Sequence, residues 1–73
     1  MRGELNKAIE YEELMDMMYI AQDGTISRRR IQVLKVGDVL FRAHCFLRGS
    51  KRTFIIDNIL ALNRVEYKEK LVI

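Results

Sequence analysis

Three turn signals divide the middle of the chain into short segments. Asp23-Gly24 favours a tight hairpin, because both residue types readily adopt positive φ values. Gly37-Asp38 and the polar, glycine-bearing run 48–51 mark two further turns. The segments between these turns alternate in side-chain character with a period of two, which is typical of β-strands. The spacing therefore predicts a series of short strands joined by hairpins.

Residues 25–33 form the first strand predicted to follow a turn. The alternation assigns Ser27 and Arg29 to one face of this strand, together with Ile31 and Val33. The two arginines that flank Arg29 lie on the other face.

The later segments complete the predicted sheet. Residues 39–47 are the most apolar and carry Arg42 and His44 on the second of their two faces. Residues 52–56 are β-branched and aromatic, and residues 59–67 offer one last strand. We therefore expect a mainly β fold of about five antiparallel strands behind a short N-terminal helix. Such a sheet is rolled into a small, partly open barrel, which limits its exposed edges.

The N-terminal segment has two interpretations. Leu5 and Ala8 fall on one helical face, which predicts a short helix over about residues 3–11. The same spacing continues through Met15 and would extend the helix. In the other interpretation a strand begins near Glu13, with Met15 on one of its faces. Residue types alone leave both interpretations open.

The chain has 73 residues, of which 49% are hydrophobic, so it forms one folded domain with little apolar surface to bury. A core of this size is often stabilised by a partner, and we expect a homodimer. The single cysteine, Cys45, cannot form an internal disulfide; with no long apolar run, it indicates a reducing cytoplasm and no membrane span. One Cys and one His are too few for a metal site. No catalytic constellation can be assembled either, so we expect neither an enzyme nor a cofactor.

Charge is distributed unevenly along the chain, although the net charge is only +3. Residues 1–27 carry two basic and six acidic side chains, which gives −4. Residues 28–52 carry eight basic and one acidic side chain, which gives +7, and residues 53–73 are balanced. This pattern predicts a polarised surface that attracts an anion to one side.

Several stretches of the chain resemble, in order and spacing, the signature segments of the WYL domain. Residues 19–24 and 27–31 look like its first hairpin, and residues 42–49 and 52–59 look like its two later strands. The resemblance covers roughly residues 5–62, which is nearly the whole chain.

The resemblance implies one domain over residues 1–73, with an Sm-like, SH3-type barrel at about 13–67 whose first strand begins near residue 13. WYL domains usually sit behind a DNA-binding helix-turn-helix in bacterial transcription regulators. They act there as sensors, and several respond to single-stranded DNA or nucleotides through basic residues. The chain departs from the family in three respects. Residues 39–41 are Val-Leu-Phe instead of the naming tripeptide, Val33 replaces a proline, and Asn58 replaces an arginine.

The candidate ligand-binding residues are Ser27, Arg29, Arg42, His44 and Arg52. Arg52 matches the Arg-x-Phe motif of the family, and a guanidinium suits phosphate because its planar donors can bond two oxygens at once. Ser27 and Arg29 share a strand face at a spacing of about 7 Å. His44, on the same face as Arg42, could donate to phosphate or stack on a base. Each residue also has a structural interpretation, as a solvated arginine at a strand edge or a locally bonded histidine.

We therefore expect a binding module for a phosphate-bearing ligand, either single-stranded nucleic acid or a nucleotide. Its partner would be a DNA-binding regulator, and its role would lie in transcription regulation. The alternative is a protein-interaction or oligomerisation module without nucleic-acid affinity, which self-associates through the methionine-bearing strand.

Overall fold

The computed structural model describes residues 1–65 and is mainly β, as the turn spacing predicts. One helix precedes five strands, and a single turn of 3-10 helix joins the last two of them. In chain order the elements are α1 (Arg2–Glu10), β1 (Leu14–Ile20), β2 (Ile26–Val36), β3 (Leu40–Cys45), β4 (Ser50–Ile55), the 3-10 turn (Ile56–Asn58) and β5 (Ile59–Arg64).

The strands form one antiparallel sheet with the order β4-β3-β2-β1-β5. Among the described residues, β4 and β5 are therefore edge strands, and the sheet does not close on itself. Curvature still brings β4 over β1. The backbone N–H of Ile55 donates to the Tyr19 hydroxyl at 2.8 Å, and the Tyr19 ring meets Phe54 edge-on with centroids 5.0 Å apart. The predicted partly open barrel is confirmed.

Strand β1 resolves the choice left open at the N-terminus. It begins at Leu14, so the strand interpretation is confirmed and the longer helix is wrong. The reason is burial with a period of two, which brings Met15 and Met17 into the core at 5% and 1% exposure. These two methionines fill the core and are not available as an exposed dimer contact.

Helix α1 ends at Glu10, and the chain reverses through Glu12, whose φ of +52° is in the left-handed region. The N–H of Glu13 then donates to the Ala8 carbonyl at 2.9 Å, which satisfies a carbonyl of the last helical turn.

The remaining predicted strands agree with the structure in position and differ at their ends. Strand β2 runs on to Val36, beyond the predicted 25–33, and β5 ends at Arg64. Residues 66 and 67 of the predicted last strand lie outside the described residues. The β1–β2 turn contains Gly24 at φ +88°, as the Asp-Gly signal predicts.

The register assigns the strand residues to two faces. Directly paired residues share a face, so the pairs Ile31–Cys45 and Phe41–Phe54 define the face that carries the core, here called the inner face. The opposite side is the outer face. Helix α1 packs against β2. The core cluster consists of Leu5, Ala8, Met15, Met17, Tyr19, Ile31, Val33, Phe41, Ala43, Cys45, Phe54, Ile56 and Ile59.

Candidate functional site

The register divides the five predicted site residues between the two faces of the sheet. Ser27 pairs with the buried Tyr19, and Arg52 pairs with the buried Ala43, so both belong to the inner face. Arg29 lies two residues after Ser27 in β2 and shares that face. Three of the candidates are therefore brought together.

The Arg29 guanidinium is half-buried and held by neutral groups. Its Nε donates to Ser27 Oγ at 3.1 Å, and its Nη1 donates to Cys45 Sγ at 3.4 Å. Its central carbon lies 5.8 Å from the centroid of the Phe54 ring, within the range of a cation–π interaction. No carboxylate among residues 1–65 pairs with Arg29. Because this cation has lost hydration without gaining a counter-ion, it is predisposed to bind an anion.

Arg52 adds a second guanidinium to the same area. It is exposed on the edge strand β4, two residues before Phe54, a separation of about 7 Å along the strand. Within residues 1–65 it has neither an ion pair nor a hydrogen-bond partner for its side chain. Since Arg29 covers the Phe54 ring, the two arginines border one surface. Ser27, Arg29 and Arg52 are here called the inner arginine patch.

The Cys45 thiol reports the electrostatics beside this patch. Burial raises its pKa, but the hydrogen bond from Arg29, the backbone N–H groups of Arg48 and Leu47 and the charge of Arg29 together outweigh burial. The pKa of Cys45 therefore lies below the ordinary value for a cysteine. Groups that stabilise a thiolate at this point also attract other anions to it.

Arg42 and His44 lie on the outer face, away from the inner arginine patch. Arg42 pairs across the sheet with Lys35 on one side and Thr53 on the other. The half-exposed His44 ring meets Phe46 edge-on, with centroids 4.7 Å apart. The structure therefore does not bring all five candidates together on one face. A ligand that contacts both sets has to pass from one face of the sheet to the other, and the edge strand next to Arg42 and His44 is β4.

Ion pairs account for three arginines within the described part of the chain. They are Arg30–Asp16 at 3.0 Å, Arg64–Glu13 at 3.1 Å and Arg2–Asp38 at 3.5 Å. Most basic side chains of the middle segment have no carboxylate partner among residues 1–65: Arg28, Arg29, Lys35, Arg42, Arg48, Lys51 and Arg52. The charge asymmetry of the sequence thus persists as a set of uncompensated cations on strands β2 to β4 and in the turn between β3 and β4.

Sequence reasoning missed two features of the site. The contact between Arg29 and Cys45 joins residues that are 16 positions apart, and no residue type signals it. A bulge at Leu34 places Lys35 opposite Arg42. The position of a bulge depends on how the two strands pair, and residue types do not signal it. The division of the candidates between two faces could have been predicted from the sequence. The alternation of apolar residues over 39–47 already places Arg42 on the face opposite the core.

The described residues contain no group of three or more His, Cys, Asp or Glu side chains arranged to hold a metal ion. No helix within residues 1–65 has the length and apolar character needed to cross a membrane.

These elements define a small, mainly β domain of WYL-like architecture with an arginine patch on its inner face. Its fold matches proteasome accessory factor B/C (PafBC) of Arthrobacter aurescens, with a TM-score of 0.82 and 18% sequence identity over 90% of this chain. The chain spans only 11% of the length of that protein, so the likeness concerns one segment of it and shows the fold alone. No protein-family model and no curated protein matches the chain.

Proposed function

We propose that the chain is a non-enzymatic, cytoplasmic sensor module of the WYL type, which holds a phosphate-bearing ligand on the inner arginine patch. The observation that carries the proposal is the state of Arg29. Ser27 and Cys45 orient its half-buried guanidinium, and no carboxylate within residues 1–65 neutralises it. A phosphate would supply the missing counter-charge.

Phosphate suits this arrangement better than a monovalent halide does. A guanidinium presents several N–H donors in one plane, and a phosphate offers oxygens at matching spacing. Arg52, on the exposed β4 edge, is free to approach the same phosphate or its neighbour. The Ser27 hydroxyl keeps Arg29 in one orientation, which lowers the entropy lost on binding.

Two comparisons support a sensing role. The resemblance to the WYL domain supports ligand sensing in transcription regulation with a DNA-binding regulator as the partner. The likeness to one segment of proteasome accessory factor B/C supports the WYL-like fold on which that role depends.

A single-stranded nucleic acid accounts for more of the uncompensated cations than a mononucleotide does. The inner arginine patch and the outer-face pair Arg42 and His44 are separated by the edge strand β4. A strand that passes round this edge meets both sets, whereas a mononucleotide meets only one. We therefore favour a single strand as the ligand, with His44 and Phe46 offering ring surfaces to its bases.

Fluorescence anisotropy with labelled single-stranded DNA, single-stranded RNA and duplex DNA tests the proposal. Single strands should bind better than the duplex, with a log–log salt slope of about −0.7 for each phosphate neutralised. Arg52→Ala and Arg29→Ala should each weaken binding about tenfold or more, because a hydrogen bond to a charged group contributes about 1.5–3 kcal/mol.

Arg2→Ala is the matched control, since it removes the same charge from a residue already paired with Asp38. This substitution should change binding by no more than about twofold, because an exposed ion pair contributes little free energy. A salt slope near zero, or equal losses in all three variants, would rule out specific phosphate binding on the patch. Stable self-association with no affinity for any of the nucleic acids would favour the protein-interaction alternative.

A further inference from the structure

A β-bulge in β2 changes the face on which Lys35 lies. Val33 pairs with Ala43, but Lys35 pairs with Arg42, so Leu34 is the extra residue. In a regular strand Lys35 would share the inner face with Val33. The bulge instead turns Lys35 to the outer face, directly opposite Arg42.

Lys35 and Arg42 consequently form a cross-strand pair of like charges. Directly opposite side chains have Cβ atoms about 5 Å apart, and like charges at that position are destabilising. No carboxylate among residues 1–65 pairs with either cation. The carboxylate closest in sequence, Asp38, pairs with Arg2 at 3.5 Å. An anion between the two cations would relieve their repulsion.

The like-charge pair borders an apolar cavity of about 300 Å³, near the lower end of the range for small-molecule sites. Its lining is almost wholly apolar, although Lys35 and Arg42 both contribute to it. The lining residues are Lys35, Gly37, Leu40, Phe41, Arg42 and Thr53. Leu40, a large side chain left 47% exposed, lies on the same face as Arg42. Thr53 pairs with Arg42 from the other side and adds a hydroxyl donor.

We infer that this outer-face cavity is a second binding site, which takes a small organic acid with an apolar body. The apolar body fills the cavity, and the carboxylate lies between Lys35 and Arg42, within reach of the Thr53 hydroxyl. A nucleotide is a poor fit, because the polar edge of its base would find no partners in an apolar lining. A medium-chain or aromatic carboxylate leaves no polar group unsatisfied. The site is separate from the inner arginine patch and shares only Arg42 with the path proposed above for a single strand, so it goes beyond that function.

Amide ¹H–¹⁵N spectra of the full chain, titrated with sodium octanoate and with 1-octanol, test this site. Octanoate should produce saturable shifts in residues 34–42 and at Thr53, and octanol should bind at least about fivefold more weakly. Lys35→Met and Arg42→Met keep an apolar stem while removing the charge. Each should weaken octanoate binding about two- to fivefold, the range expected for a partly exposed ion pair.

The same spectra show whether each variant remains folded, and Lys35→Met separates this inference from the proposed function. Lys35 belongs neither to the inner arginine patch nor to the pair Arg42 and His44, so its replacement should change binding of a pentathymidylate by no more than about twofold. Loss of octanoate binding with retained pentathymidylate binding supports the second site. Equal affinity for octanol, shifts confined to the inner arginine patch, or no saturable shifts at millimolar octanoate would overturn it.

Discussion

Arg29 shows how the neighbours of one side chain determine what it can bind. Ser27 and Cys45 accept hydrogen bonds from its N–H groups without neutralising its charge, and its central carbon lies 5.8 Å from the centroid of the Phe54 ring. A solvated arginine at a strand end would keep its hydration and many rotamers. Arg29 has lost part of both, so an incoming anion gains a pre-oriented and incompletely solvated partner.

Titration of Cys45 tests the contact with Arg29. The chain has a single cysteine, and its thiolate absorbs at 240 nm. At pH values too low to ionise tyrosine, the change in this absorbance reports Cys45 alone. Burial raises the pKa of Cys45, but Arg29 and the nearby N–H groups lower it below the ordinary value. The pKa should therefore be lower in the folded chain than in urea. Arg29→Ala should raise it, whereas Arg48→Ala, which keeps the backbone N–H of residue 48, should leave it unchanged.

The lowered pKa of Cys45 also makes stability depend on pH. The thiolate is favoured in the folded chain, so the stabilisation is fully present above the pKa of the unfolded thiol. It is lost as the pH falls through the lower pKa of the folded chain. An Arg29→Ala variant with an unshifted pKa would show that the contact is absent in solution.

Tyr19 offers a second test at the residue scale. Its hydroxyl accepts the N–H of Ile55 at 2.8 Å, where β4 curves over β1. Tyr19→Phe leaves this backbone donor without a partner and should lower the free energy of unfolding by about 1–3 kcal/mol. Urea denaturation measures the change. Tyr11→Phe makes the same chemical change at a side chain 63% exposed and should stay within about 0.5 kcal/mol.

At the scale of elements, the alternation of apolar residues predicted most of the sheet. Asp23-Gly24 located the first hairpin, because few other dipeptides reach positive φ so readily. Residue types did not predict the bulge at Leu34, since it depends on how β2 and β3 pair. They predicted a short helix that ends near residue 11, close to the observed end at Glu10, but not the left-handed conformation of Glu12, because Glu is uncommon in that region.

The left-handed conformation of Glu12 predicts that a glycine stabilises the fold at position 12 but destabilises it at position 10. Glu12→Gly removes the side chain that disfavours φ +52° and should raise the free energy of unfolding by about 0.5–1 kcal/mol. Glu10→Gly, within α1, should lower it by a similar amount, because glycine is a poor helix former. Thermal or urea unfolding distinguishes the two. Destabilisation by Glu12→Gly would mean that the helix ends differently in solution.

At the scale of the whole molecule, the fold converts a charge gradient along the chain into separate surfaces. Acidic residues near the N-terminus pair with only some of the arginines, as in Asp16–Arg30 and Glu13–Arg64. The remaining cations of strands β2 to β4 occupy both faces of the sheet. Composition predicted that an anion would be attracted, but only the register shows that Arg42 and His44 lie apart from Arg29 and Arg52.

The central claim is that the inner arginine patch holds phosphate, and mapping of pentathymidylate on amide and arginine Nε–H spectra tests it most directly. We expect the largest shifts at Ser27, Arg29 and Arg52, with smaller ones at Arg42 and His44, and we expect the binding that they report to be about tenfold or more weaker in Arg29→Ala. Saturable binding that shifts other surfaces and leaves the inner arginine patch unchanged would contradict the claim, as would binding that is the same in the variant.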